Sequence, residues 1–536
     1  LVCFFLFNGA YKIVDLQMAK GWILDDEVFV KWNSFSRIAV RTGRLPLLDI
    51  QIDGDASTSI APFDFDRLSE RDRNTLIFQG PGLPYALRPA AKTLIIGPGG
   101  GWDVARALAS GSKDVTGAEI NPIIAVTVMR EKYAYASKGL YLRPEVHIHV
   151  AEGRSFVRQS REKYQVLQAT LVDTWASTAA GAFALSESNL YTTDAFRDYL
   201  EHLTDDGVLC FTRWGLEPPR ESLRLISLAM DALRQLGEAD PSQHVIVGRE
   251  DLTDAALDTV LISRKPFSAE DLSRARTAMR LAHMETLYLW GENHANPFTD
   301  LLRSSNPAEY ARHYRFDISP VTDDRPFFFY SVQPRDMWAF LAREEVHSSD
   351  SMDYKLNRAV PLLFGLAGLT VAATLIILAM PPVILGTRLP RQKGVLAFLA
   401  YFLCIGVGYI MVEVALIQKF VLFLGHPTYA LTVIVFSMLV SSALGSYTNK
   451  SLLRDRDARL MGLLALVAML LTILALAAFP FLSSAVGMSL PAKMALSVLL
   501  VFPAGFVMGM PFPAGLKRLE GWHKPSVRWA WSLNAA

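Results

Sequence analysis

Hydrophobic and polar positions divide this chain into two unlike regions: charges are interspersed throughout residues 1–358, whereas from Ala359 onward long stretches carry no formal charge. Within the first region, residues 93–213 alternate short apolar runs with stretches of helical spacing, the succession that a parallel, doubly wound α/β sheet requires. Thr93-Leu-Ile-Ile-Gly97 reads as a buried strand, and Gly97-Pro-Gly-Gly-Gly101-Trp-Asp-Val as a glycine turn that opens into a helix. Asp114–Glu119, Val146–Val150, Tyr164–Val172 and Gly207–Thr212 follow as strands, with helices expected over Asn121–Ser137 and Thr193–Leu203. The expected organisation is the end of a truncated membrane helix and a linker over 1–24, a small N-terminal β region over 25–92, the α/β domain over 93–335, a linker over 336–358 and an all-α membrane bundle over 359–536.

Five segments of the second region are long and apolar enough to cross a bilayer core of about 30 Å: 359–380, 395–421, 428–446, 460–482 and 493–515. Hydrocarbon offers backbone groups no partner, so these segments are expected to be helices. Basic clusters at Arg388–Lys393, Lys450–Arg459 and Lys517–Arg528 mark three loops as cytoplasmic by the positive-inside rule. Parity then puts the α/β domain on the opposite side. Glu413, inside the second segment, is either a functional group with Lys419 or His426 as partner, or a structural interhelical hydrogen bond. The apolar ends Leu1–Phe7 and Trp529–Ala536 read as cut membrane helices, so a fragment of a longer protein is expected.

Composition agrees with this division: 51% of residues are hydrophobic and 20% charged, an apolar balance for a soluble protein. A formal net charge of +1 with no basic stripe argues against nucleic acid as a partner. Cys3, Cys210 and Cys404 lie far apart without a CxxC pair and read as buried apolar thiols. His147 and His149 alternate on one strand with no other ligand types in view, so no metal is expected.

Ligands of doubly wound sheets bind beyond the carboxyl ends of the strands, and there the candidate chemistry gathers. Gly97, Gly99 and Gly101 let the backbone turn tightly beside a ligand. Glu119, 18 residues after Gly101 at the tip of the next strand, can accept hydrogen bonds from both hydroxyls of a ribose. Glu152 is placed to reach an adenine edge, and Asp173 ends the fourth strand beside the reacting centre. Trp102 stands where a dinucleotide fingerprint wants a third glycine. The set therefore favours an adenosyl ligand such as S-adenosylmethionine over a nicotinamide dinucleotide, with a ligand-free fold as the remaining alternative.

Residues 28–213 resemble the spermidine synthase family, whose fold is that of class I adenosylmethionine-dependent methyltransferases. The resemblance is carried by Phe29–Val40 and Asp53-Gly54, by Gly97–Asp103 as the cofactor loop, Glu119-Ile-Asn-Pro122 as the ribose motif and Glu152-Gly153 as the adenine motif. Leu171-Val-Asp-Thr174 and Ser188–Phe196 look like the catalytic strand and the segment after it. Thr322-Asp-Asp-Arg-Pro-Phe327 and the span around Glu413 look like a membrane-fused bacterial branch. The resemblance implies S-adenosylmethionine or its decarboxylated form as cofactor, held by Gly97, Gly99, Gly101, Asp103, Glu119, Asn121, Glu152 and Gly153, with Asp173 as the catalytic residue that orients and deprotonates an attacking amine, or else a strand-end acid that only touches the cofactor. Trp175 and Tyr191 are candidates for the wall of a substrate pocket, or plain packing, and Arg325 either closes the site or makes a salt bridge with Asp323 or Asp324.

Three positions depart from the family pattern. Gly100 stands where the soluble synthases carry an acid for the amino end of the donor, Ala176 replaces a second polyamine-binding acid, and Phe78–Tyr85 replaces a Tyr-His-Glu stretch. The expected function is aminopropyl transfer to an amine by a membrane-anchored transferase. Its alternatives are methyl transfer to a small or lipid-soluble acceptor, and a transporter with an adenosyl-sensing domain. Expected partners are a small-molecule amine or lipid-soluble acceptor and the lipid bilayer, with a homodimer possible. The expected location is a bacterial inner membrane, with the α/β domain assigned to the cytoplasm, where the donor is made, against the loop charges.

Overall fold

The computed structural model describes residues 18–172, 187–335 and 363–535, apart from residues 20, 21, 25, 44–46, 55, 254, 334, 379, 381–392, 426 and 454–456. Contacts divide the chain into two units, Leu1–Pro361 and Leu362–Ala536.

In the first unit a short hairpin, β1 (Met18–Ala19) and β2 (Trp22–Ile23), precedes an antiparallel sheet of β3 (Glu27–Trp32), β4 (Arg37–Thr42), β5 (Leu48–Ile52) and β6 (Ala56–Ser59). The main sheet contains β7 (Thr93–Ile96), β8 (Val115–Glu119), β9 (Val146–Val150), β10 (Tyr164–Thr170), β11 (Leu203–Trp214), β12 (Val245–Asp251), β13 (Ala256–Ser263) and β14 (Glu285–Tyr288). Their spatial order is β14-β12-β13-β11-β10-β7-β8-β9. The neighbours β11, β10, β7, β8 and β9 are parallel. The chain starts in the middle at β7, moves outward through β8 and β9, then returns to β10 and β11 on the other side. The order thus reverses between β7 and β10, and a crevice for a ligand opens at such a point. This is a Rossmann-like sheet of the methyltransferase type, extended by the antiparallel β13, β12 and β14.

Alternation along the strands gives the sheet two cores. Leu94, Ile96, Leu167, Leu209 and Phe211 face the helices Thr193–Glu201 and Glu221–Gln235, while Ile95, Val115, Val146 and Val166 face Trp102–Ala109 and Ile123–Lys132. Burying these side chains is worth roughly 1.5–3 kcal/mol each before entropy is counted, which fixes the register of the strands.

Three elements differ from expectation. The helix expected over Asn121–Ser137 is a wide-turn π-helix of Ile123–Lys132, with turns up to Gly139. The fifth strand is longer than expected, Leu203–Trp214, because it is paired on both sides, by β10 and β13. The fourth strand stops at Thr170, because Leu171 takes φ 50°, a left-handed conformation that breaks the extended run.

The second unit is helical. Val395–Leu424, Pro427–Asn449, Leu460–Leu482 and the stretch Leu490–Asn534 are long and apolar enough to cross a membrane. Of the first expected span, the described helix is Leu363–Leu378, shorter than a full crossing, and its flanks lie outside the described residues. Two helices meet through facing pairs of small residues. A Cβ on Gly445 would lie 1.8 Å from the Phe506 carbonyl oxygen, one on Gly505 2.1 Å from Ser441 Oγ, and one on Gly509 2.1 Å from the Ser442 carbonyl oxygen. Ser441/Gly445 and Gly505/Gly509 are therefore small-xxx-small pairs of the kind that lets membrane helices approach backbone to backbone. Cys404 is exposed on its helix rather than buried, unlike Cys210.

Candidate functional site

β7 ends in the glycine turn, where Gly97, Gly99 and Gly101 have φ of 67°, 49° and 91°. All three lie in the left-handed region that a side chain disfavours. Gly100 is constrained by space instead: a Cβ there would lie 2.0 Å from the carbonyl oxygen of Ser59. Ala61 N donates to the Gly100 oxygen at 2.9 Å, and Trp102 Nε1 donates to the Ser59 oxygen at 2.9 Å. The small N-terminal sheet is thus clamped onto the turn, and no acid can stand at position 100.

Glu119, at the tip of β8, is 5% exposed. Gly99 N donates to its Oε2 at 3.1 Å and Asn121 N to its Oε1 at 3.0 Å. Burial pushes its carboxyl above the usual value, against the opposing pull of the Asn121 and Gly99 amides. A carboxylate offers about four acceptor positions, so two remain for hydroxyl donors. Asn121 turns the other way: its Nδ2 donates to Ser36 Oγ at 2.7 Å, and Asn33 Nδ2 donates to its Oδ1 at 3.1 Å. Its amide is committed to joining the loop between β3 and β4 to the end of β8.

Glu152 caps the helix Gly153–Gln159, with Oε1 and Oε2 accepting from the amides of Arg154 and Ser155 at 3.0 and 2.7 Å. Gly153 is required by contact, since a Cβ would lie 2.4 Å from Ile96 Cγ2. Beside these acids, Ile120 and Val150 leave apolar surface open at 39% and 48% exposure. Asp103 is buried, and its Oδ1 accepts from Arg106 Nη1 at 2.7 Å and from Gln168 Nε2 at 3.1 Å. Arg106 Nη2 reaches Gln79 at 2.9 Å, and Tyr85 donates to Gln168 at 2.6 Å. The charge of Asp103 is therefore matched by a neighbour three residues along the same helix.

The structure brings Gly97, Gly99, Gly101, Glu119 and Asn121 together at the carboxyl edge of the sheet. Glu152 and Gly153 lie beyond the neighbouring strand end, where Ala151 N donates to the Glu119 carbonyl at 3.0 Å. Asp173 and Trp175 lie outside the described residues. Tyr191 is a core residue rather than an open pocket wall: it is fully buried, its ring stacks on Phe328 with centroids 4.6 Å apart, and its hydroxyl donates to the Val172 carbonyl.

Arg325 is exposed, and the described partner of Asp323 is Arg154. Sequence reading missed this residue and the buried Arg213. The Thr322-Asp-Asp-Arg325 run hinted at an ion pair, and for Asp323 the paired residue is Arg154. The described residues contain no cluster of metal-ligand type, and His149 packs on Phe156 at 5.0 Å. A cleft of about 510 Å³ beside Arg234, Trp290 and Arg303 adjoins the start of β12 and the end of β14. Those positions are at the amino edge of the parallel strands, the opposite end of the sheet from the acids.

No protein-family model matches the chain, and no curated protein matches it. Among solved structures it is similar to a spermidine synthase in complex with the transition-state analogue AdoDATO, at 18% identity and TM-score 0.35, over 46% of this chain and 77% of that one. The spermidine synthase from Thermotoga maritima is 17% identical with TM-score 0.33, over 46% and 75%. Human methyltransferase-like protein 13 in complex with SAH is 14% identical with TM-score 0.26, over 43% and 96%. The likeness is one of fold.

Proposed function

We propose that the first unit is a transferase that takes a group from an adenosyl sulfonium, S-adenosylmethionine or its decarboxylated form, and passes it to a nucleophilic acceptor. The second unit anchors it in a membrane, with the α/β domain on the cytoplasmic side. The observation that carries the reading is the bond from Gly99 N to Glu119 Oε2 at 3.1 Å, which joins the glycine turn to a half-satisfied carboxylate across the sheet edge. In this reading Glu119 takes the ribose hydroxyls, Ile120 and Val150 cover the adenine, and Glu152 uses its remaining acceptor positions on the adenine edge.

The sulfonium supplies an already activated leaving group. The acceptor's lone pair forms a bond to the carbon on sulfur, the carbon–sulfur bond breaks with its electron pair staying on sulfur, and Asp173 takes the acceptor's proton. Alignment is the larger contribution, about 7–11 kcal/mol, against a base worth roughly 10²- to 10⁴-fold in rate.

Aminopropyl transfer to an amine is the reading supported by the family resemblance. Methyl transfer is the second reading. It is supported by the closed space at Gly100 and the matched charge of Asp103, which leave the turn without a free acid for a cationic tail among the described residues. Calorimetry of the full chain in detergent with S-adenosylmethionine, its decarboxylated form and methylthioadenosine tests both. A preference for the decarboxylated donor selects aminopropyl transfer, a preference for the intact one selects methyl transfer, and no binding by any of the three overturns the proposal.

A further inference from the structure

We propose that the cleft of about 510 Å³ at the amino edge of the main sheet is a second ligand site, which takes a phosphate carried on a flat ring. Its volume lies within the range of roughly 300–1,000 Å³ in which small-molecule sites occur. It is walled by the end of the helix Glu221–Gln235, the turn before β12, the residues after β14 and the end of the helix Pro297–Leu302. Arg234 and Arg303 bring two guanidinium groups to it, against the one carboxylate of Asp240. That carboxylate is already occupied. Its Oδ1 accepts from the Ser242 amide at 3.2 Å and from the Ser242 hydroxyl, and its Oδ2 accepts from Gln243 Nε2 at 2.9 Å.

Neither arginine is matched by an acid among the described residues. Arg303 gives Nη1 to the Asn293 side-chain oxygen at 3.0 Å and Nη2 to the Glu292 carbonyl oxygen, both neutral acceptors, while the Glu292 carboxylate is taken by Arg276 at 2.7 Å and His294 at 2.9 Å. Arg234 has no hydrogen-bond or ion-pair partner among the described residues. Positive charge is therefore left over for an anion, and the planar fork of a guanidinium matches the paired oxygens of a phosphate. Trp290 also lines the cleft. It is half-buried, its ring meets no other ring or cation among the described residues, and its indole N–H has no acceptor there. A half-buried indole ordinarily uses both its face and its N–H. The buried Met230 and Leu302 add apolar lining beside it. A flat ring against Trp290, with its phosphate at the two guanidiniums, uses every one of these groups. The cleft lies at the opposite end of the sheet from Glu119 and Glu152, so this site is separate from the proposed transferase site and does not rest on that reading.

Calorimetry of the full chain in detergent with AMP, UMP, adenosine and inorganic phosphate tests the site. At least one of the two nucleotides is expected to bind saturably, and more tightly than adenosine or phosphate alone, because ring and anion are held by different groups. Arg234→Gln is expected to weaken that binding roughly tenfold, as the loss of a charge-assisted hydrogen bond does, and Trp290→Leu about as much through lost stacking. Arg280→Gln is the control. Arg280 is likewise exposed in the last turn of a helix, Ala269–Leu281, and lines no part of the cleft, so its loss removes the same charge elsewhere. Absence of saturable binding by both nucleotides would overturn the proposal, and so would equal affinity in Arg234→Gln and Arg280→Gln. Phosphate bound as tightly as the nucleotide, or a nucleotide bound equally by Trp290→Leu, would overturn the flat ring as part of the ligand.

Discussion

Arg154 and Asp323 join through two parallel hydrogen bonds, Nη1 to Oδ1 at 2.6 Å and Nη2 to Oδ2 at 2.8 Å, across 169 residues of chain. Arg154 Nε also reaches Asp198 at 2.9 Å, and Thr192 Oγ1 donates to Asp323 Oδ1 at 2.7 Å. One buried guanidinium thus ties the helix behind Glu152, the helix Thr193–Glu201 and the turn at 322–324 into one body. Removing one member of a buried pair costs about 3–5 kcal/mol because a charge is left behind. Asp323 is a quarter exposed, so water recovers some of that. We expect Asp323→Ala to lose about 3 kcal/mol, read by chemical denaturation of the full chain, whereas Arg325→Ala should be near neutral.

Glu152 caps a helix and, in the proposed function, also meets the adenine, and the two can be separated. Glu152→Ala should lose both the helix cap, about 1 kcal/mol, and the proposed adenine contact. Glu152→Ser keeps a capping oxygen but is too short to reach a base. The serine variant should match the wild type in melting temperature and still bind the donor more weakly. Equal affinity in the two proteins would free Glu152 from any ligand role.

Glu119 predicts a pH dependence whose sign follows from burial. Its folded carboxyl is raised above the ordinary 4.5. Its contribution to stability is therefore fully present below pH 4.5 and is lost as pH rises through the folded value. Glu119→Gln should flatten that stretch of the stability profile. Ribose hydroxyls donating to the carboxylate would favour its charged form, so donor binding should release a proton and tighten as pH rises across the same window. Calorimetry in buffers of different ionisation enthalpy measures the proton, and uptake in place of release would contradict the assignment.

Gly445 tests the helical unit. Its Cβ position collides with the backbone oxygen of Phe506, so Gly445→Val must push the facing helices apart. Overpacking of this kind costs about 1–3 kcal/mol. Thermal unfolding in detergent should show the loss, while Gly408→Val, at a glycine with open space around it, should not.

How much of this was legible in the sequence follows from the range of each interaction. Thr93–Ile96 and Val146–Val150 could be read because an all-apolar run and an alternating run are local signals, and Glu119 because strand tips follow from strand ends. Arg154 could not be paired with Asp323, since nothing local joins residues so far apart. The halt of β10 at Thr170 was hidden because Leu171 looks like any strand leucine and is turned by its neighbours in space. From its place after Asp173, Tyr191 could be read as a pocket wall or as packing, and the rings of Phe211, Phe328 and Phe329 around it decide for packing. The antiparallel extension by β12–β14 lay beyond the stretch from which the sheet was read.

The contact of Ser59 with Gly100 binds the history of the two sheets together. Adding a side chain at Gly100 would need a compensating retreat of β6, so the composition of this turn can drift only through coupled changes in two segments of the chain.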